Sequence, residues 1–122
     1  MDTDTHKKPA YDLEERTYQF AKRVRIFVKE LPVNASNMED IKQVVKASGS
    51  VGANYIEANE SLSKKDFLMR MKISRKEAKE SAYFLRLIHE TNGPHFEQRG
   101  IELRNEAIEL KKIFSAIIEK SQ

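Results

Sequence analysis

Five cationic side chains, Lys65, Lys72, Lys76, Lys79 and Arg86, lie on one segment of the chain. At about 100° per residue they fall within roughly one quarter of a helix circumference. Cations gathered in this way neutralise phosphates and release counterions, which gives binding without sequence preference. An earlier segment adds Lys22, Arg25 and Lys29 on one face, with Arg23 beside it. The same pattern also suits a plain solvated helix face. No recognition-helix motif, aromatic stacking platform or RNA-binding signature accompanies the stripe. Any contact with RNA or DNA is therefore expected to be directed at the backbone and to weaken with salt.

A second set of polar residues sits on another segment. Gln43, Ala47, Ser50, Asn54 and Glu57 follow one another in alternating steps of four and three, so they share one helix face. Small and hydrogen-bonding residues at that spacing point to close helix contact with satisfied polar groups. The reading they support is a structural network of Gln43, Ser50, Asn54 and Glu57 that fixes register, with Arg75 or Arg70 as the cation for Glu57. A ligand site is the alternative. Only Glu57 in this set can do acid–base work, and no nucleophile or histidine is spaced to assist it. A di-iron bundle needs Glu-x-x-His pairs, and neither His89 nor His95 has a glutamate three positions earlier. The histidines read as surface or turn residues. No phosphate loop or hydrolase motif is present. No catalytic residue, metal, cofactor or small-molecule substrate is expected, and the chain does not read as an enzyme.

Four helices account for these positions. Leu13, Phe20, Val24, Phe27, Val28 and Leu31 recur at helical spacing up to Pro32, which stops the first helix. Ser36-Asn37-Met38-Glu39 has the form of a capping box, so a second helix starts beside it and runs to about Glu60. Gly49 and Gly52 inside it cost about 1 kcal/mol each in helix propensity, which is explained if another helix approaches closely there. Ser63 is a plausible N-cap with Asp66 in the first turn. The third helix carries Phe67, Met71, Ser74, Ala78, Ser81, Leu85 and Ile88 as its seam, and Asn92-Gly93-Pro94 ends it. A fourth runs from about Glu97 with Leu103, Ala107, Leu110, Phe114 and Ile117 inward.

The architecture expected is an all-α, antiparallel up-down-up-down four-helix bundle. Residues 1–12 read as a flexible N-terminal tail and residues 13–122 as one domain. Pairing through the Ser61–Ser63 turn places Ala47 near Ala78, Ser50 near Ser74 and Arg75, and Gln43 near Ser81 and Ala82.

Composition agrees. The chain has 122 residues, 39% hydrophobic and 34% charged, with four glycines, three prolines and no cysteine. That mix belongs to helix-rich chains and excludes disulfides and thiolate metal sites. No apolar run approaches the ~20 residues needed to span a bilayer, and Met1–Asp12 lacks the apolar stretch of a secretory signal. No membrane association is expected, and a cytoplasmic setting is. The net charge of +3 comes from residues 13–31 and 64–92, which permits an anionic partner without requiring one. Met69, Ile73, Phe84 and Leu87 form a second apolar stripe on helix three, away from its seam. A bundle monomer has one inside, so the stripe reads as an interface between copies, or else as a broad core face.

The run Ser50-Val51-Gly52-Ala53-Asn54-Tyr55-Ile56-Glu57-Ala58, with Gln43 before it, is followed by Ser63-Lys64-Lys65-Asp66-Phe67 and Ile73-Ser74-Arg75-Lys76-Glu77-Ala78. These residues resemble the four helix bundle protein family, also called the 23S ribosomal RNA intervening-sequence protein family. Ala58 stands where many members have glycine, and Ser74-Arg75 replaces a commoner small or glycine-serine step. Members of this family are similar to the accessory variability protein of diversity-generating retroelements. Those relatives form a pentameric barrel whose basic surface engages reverse transcriptase and nucleic acid. The resemblance implies a homo-oligomer, a pentamer first, and RNA, DNA or a reverse-transcriptase-like enzyme as partner, with no catalysis. The competing expectation is a protein–protein interaction scaffold with no nucleic-acid role.

Overall fold

The computed structural model describes residues 9–122, with side chains from Leu13 onward. Residues 1–8 of the expected tail lie outside the described residues, and Pro9 already opens a helix. The chain forms α1 (Pro9–Val28), α2 (Ala35–Asn59), α3 (Lys64–Thr91) and α4 (Pro94–Ser121). There is no strand among the described residues.

Local chemistry sets the boundaries. The helical hydrogen bonds of α1 stop at Val28, ahead of Pro32, and Glu30 and Leu31 close tighter turns onto the carbonyls of Phe27 and Val28. The cap of α2 is Asn34, two residues before the Ser36–Glu39 box: its side chain accepts the Asn37 amide at 2.8 Å. The cap shifts because Asn37 is drawn inward by other bonds. Ser63 caps α3 as its sequence predicts, its hydroxyl accepting the Asp66 amide at 3.1 Å. At the last turn Gly93 takes φ 88°, which side chains disfavour, and Pro94 opens α4 without needing its missing donor.

One core runs through all four helices. Phe20, Val24 and Phe27 from α1 meet Val44 and Val51 from α2, Met71, Leu85 and Ile88 from α3, and Leu110 and Phe114 from α4. Each such side chain withdrawn from water contributes about 1.5–3 kcal/mol before ordering costs. Helix α1 packs on α2 and α4, and among the described residues its backbone makes no close approach to that of α3, which it meets only through core side chains; α3 lies between α2 and α4.

Small residues set the spacing. A Cβ at Gly52 would lie 2.7 Å from the Thr17 hydroxyl, so α1 crosses α2 there at close range. Thr17 is buried and bonds its own Leu13 carbonyl at 2.7 Å, which leaves it no room to turn away. Gly49 faces Arg25 in the same crossing. Between α3 and α4, Gly100 lies directly over the side chain of His89. His89 is therefore a core residue, 5% exposed with neither ring nitrogen bonded to protein, and not the surface or turn residue its sequence position indicates. Gly100 makes the space that admits it.

Candidate functional site

The polar stripe of α2 divides between roles. Asn54 accepts a hydrogen bond from the Arg70 guanidinium at 3.0 Å and donates to the Ser50 carbonyl at 2.9 Å. Ser74 donates to the Val51 carbonyl at 2.9 Å. Both cross-helix bonds fall at the level expected from pairing through the Ser61–Ser63 turn. The rest of the proposed network is local or outward: Gln43 donates to Glu39 on its own helix, and Glu57 is exposed. An exposed carboxylate is solvated and needs no cation, so Arg70 serves Asn54 instead. Arg75 turns to the other side of α3, towards α4.

There it joins the basic stripe. Lys72, Arg75, Lys76 and Lys79 from α3 and Lys111 and Ser115 from α4 line a groove of about 430 Å³. Five cations and a hydroxyl surround it with no carboxylate among them. The spacing of α3 selects Lys72, Lys76 and Lys79; Arg75, read from the sequence as a cation for Glu57, joins them, and α3–α4 packing brings Lys111 to meet them.

The eight basic residues picked out by spacing do not form one surface. Lys22 is exposed on α1, whose backbone makes no close approach to α3, and Lys29 is exposed in the turn just after it. Arg25 has turned inward: its guanidinium donates to the Ala21 and Val45 carbonyls at 3.0 and 3.2 Å, with the Ser48 hydroxyl at 3.5 Å. Those donors hold α1 to α2 and are not free for a phosphate. Lys65 is exposed near the start of α3, and Arg86 is exposed and paired with Glu90 at 3.1 Å. Lys72, Lys76 and Lys79 are the expected residues that the structure brings together.

Carboxylates bound the groove on its α2 side. Glu77 and Glu80 share a smaller depression with Gln43, Lys46, Ala47 and Lys76. Burial pushes the Glu77 carboxyl up from the usual carboxylate range, and the charge of Glu80 adds to this; Lys76 and Lys46 oppose it. On the second apolar stripe, Met69 is 48% exposed, Ile73 and Leu87 are half-buried, and Phe84 packs against the core edge.

Sequence spacing missed three further pairings between distant segments. Asn37, 1% exposed, and Asn92 exchange amide hydrogen bonds of 2.7 and 3.0 Å, and also bond the Pro32 and Ile88 carbonyls. They tie the start of α2 to the end of α3. Arg16–Glu106 and Arg99–Glu30 are two-pronged pairs from α1, or the turn after it, to α4. Arg99 also lies over the Phe27 ring, 5.4 Å from its centroid.

Together these features define an all-α protein of four helices with a cation-lined groove between the third and fourth. The chain belongs to the 23S rRNA-intervening sequence protein family, whose pattern matches residues 11–116. It is similar to a protein of unknown function from the S23 ribosomal protein family of Bacteroides thetaiotaomicron VPI-5482, whose crystal structure is known. The identity is 27%, over 90% of this chain and 97% of that one, with a TM-score of 0.79. No curated protein matches the chain. No helix among the described residues is long and apolar enough to cross a membrane.

Proposed function

We propose that this chain is a non-enzymatic accessory protein that grips the sugar-phosphate backbone of RNA or DNA through the α3–α4 groove. It acts alone or beside a nucleic-acid enzyme of the reverse-transcriptase kind. The observation that carries the reading is the convergence of Lys72, Arg75, Lys76, Lys79 and Lys111 on one groove without a carboxylate in its lining. Five ammonium and guanidinium groups so placed match a polyanion and are wasted on a neutral partner.

The helices of this reading run antiparallel, up-down-up-down. The pairs Thr17/Gly52 and Arg25/Val45 support that order for α1 and α2, as do Asn54/Arg70 and Asn37/Asn92 for α2 and α3. Copies associate as a homo-oligomer, with the pentamer implied by the family resemblance as the first expectation. The apolar surface left at Met69, Ile73 and Leu87 supports such contact. A cytoplasmic setting, consistent with the cysteine-free composition, belongs to the same reading.

A salt titration of binding to generic RNA and DNA tests the proposal. If all five cations meet phosphates, the log–log slope for a single strand is about −3.5. Lys72→Glu with Lys79→Glu removes at least two contacts and makes the slope shallower by about 1.4. No binding at low salt refutes the reading and leaves a protein–protein scaffold. Light scattering tests assembly: a mass near the 14.2 kDa of one chain refutes it.

A further inference from the structure

The cation groove adjoins an aromatic pair whose outer member, Tyr83, is not required by core packing. Tyr83 is 61% exposed, and its ring stands edge-on to Phe84 with centroids 5.2 Å apart at 85°. Phe84 is half-buried and anchored at the core edge, so it steadies the Tyr83 ring from one side. A shallow depression of about 450 Å³, lined by Lys76, Lys79, Glu80, Tyr83 and Phe84, shares its two lysines with the groove. Tyr83 follows Lys79 by one helical turn and Lys76 by two, about 6 and 10 Å of rise.

An aromatic face at that reach from phosphate-binding ammonium groups suits a base whose own backbone lies in the groove. Bases in a duplex are already stacked on one another and offer no free face, whereas an unpaired base does. Glu80, on the same rim, repels phosphate and confines the backbone to the lysine side, leaving the Tyr83 side to an uncharged ring. We propose that the groove takes single-stranded nucleic acid, with an unpaired base stacked on Tyr83. This rests on the nucleic-acid reading above and adds to it the state of the strand and the residue that selects it.

Fluorescence anisotropy with a labelled mixed-sequence single-stranded oligonucleotide and its own duplex tests the inference on the full chain. Tyr83→Ala is expected to weaken single-strand binding roughly tenfold and to leave duplex binding unchanged. Tyr83→Phe keeps the ring and is expected to bind the single strand as the parent does. Tyr83 is exposed and alanine favours a helix, so the fold survives the change, which circular dichroism verifies. If Tyr83→Ala leaves single-strand affinity unaltered, or weakens single strand and duplex alike, the inference fails while the backbone-binding reading stands. If the parent chain binds neither probe at low salt, both fail together. If Tyr83→Ala lowers the oligomer mass without nucleic acid present, a second copy covers the ring and the inference is overturned.

Discussion

Replacing Gly100 with alanine should destabilise the protein even though alanine is the better helix former. The added Cβ would sit 2.3 Å from His89 Cβ, 3.2 Å from its Cγ and 3.4 Å from its Cα. Carbon atoms in ordinary contact lie about 3.5–4.0 Å apart, so α3 and α4 must part by 1 Å or more. Cβ cannot swing away by a rotamer change, because the backbone fixes it. Overpacking of this kind costs about 1–3 kcal/mol, and displacement of two backbones belongs at or beyond the upper end. Alanine returns about 1 kcal/mol of helix propensity. The net loss is about 2 kcal/mol, which for a chain of this size lowers Tm by roughly 8 °C. Thermal unfolding followed by far-ultraviolet circular dichroism measures it. The pairing of substitutions is diagnostic. His89→Ala keeps the offending Cβ and should not rescue Gly100→Ala; His89→Gly removes it and should make Gly100→Ala neutral or stabilising. A Gly100→Ala protein as stable as the parent, or one rescued equally by His89→Ala, would refute the reasoning.

Asn92→Ala leaves the buried Asn37 carbonyl oxygen without its donor and should cost about 1–3 kcal/mol in urea unfolding, with strong coupling in a double-mutant cycle with Asn37. The Glu77 carboxyl has a folded-state pKa raised above its unfolded value, so its ionised form costs stability at neutral pH, and that cost disappears as pH falls through the raised value. Glu77→Gln should therefore be the more stable protein at neutral pH and lose that advantage in acid; an advantage that grew in acid would contradict the assignment. The Arg16–Glu106 pair, with side chains 40% and 19% exposed, should show a coupling of about 0.5–1 kcal/mol that added salt reduces.

Features written in neighbouring residues could be read directly from the chain. Ser63 and Asp66 announce the start of α3, and the Phe67-to-Ile88 seam follows from spacing alone; the buried residues Met71, Ser74, Ala78, Ser81, Leu85 and Ile88 all lie on it. Features made by two distant segments were hidden. The capping box at Ser36 competes with a better cap two residues earlier, because Asn37 is pulled inward by Asn92, 55 positions away. Arg25 looks like any cation of a solvated stripe until the open Val45 and Ser48 side of α2 is brought against it. Lys111 belongs to a helix whose charges balance, so nothing in its own surroundings marks it; only α3–α4 packing makes it part of a groove. The aromatic surface escaped notice for a related reason. Tyr83 is a single ring, and its meaning depends on Lys76 and Lys79 facing the same depression.

That the backbones of α1 and α3 make no close approach has a consequence for how the molecule can vary. Every residue that lines the cation groove lies on α3 or α4, so a substitution on the outer face of α1 leaves its lining untouched. The outer face of the first helix can drift in sequence or acquire a partner of its own while the groove keeps its charge, provided Phe20, Val24 and Phe27 stay in the core. Hydrogen exchange should register the same division, with α1 amides opening at lower free energy than those of the α3–α4 pair. The charge of the groove and the exposed surface of α1 can thus change independently within one small domain.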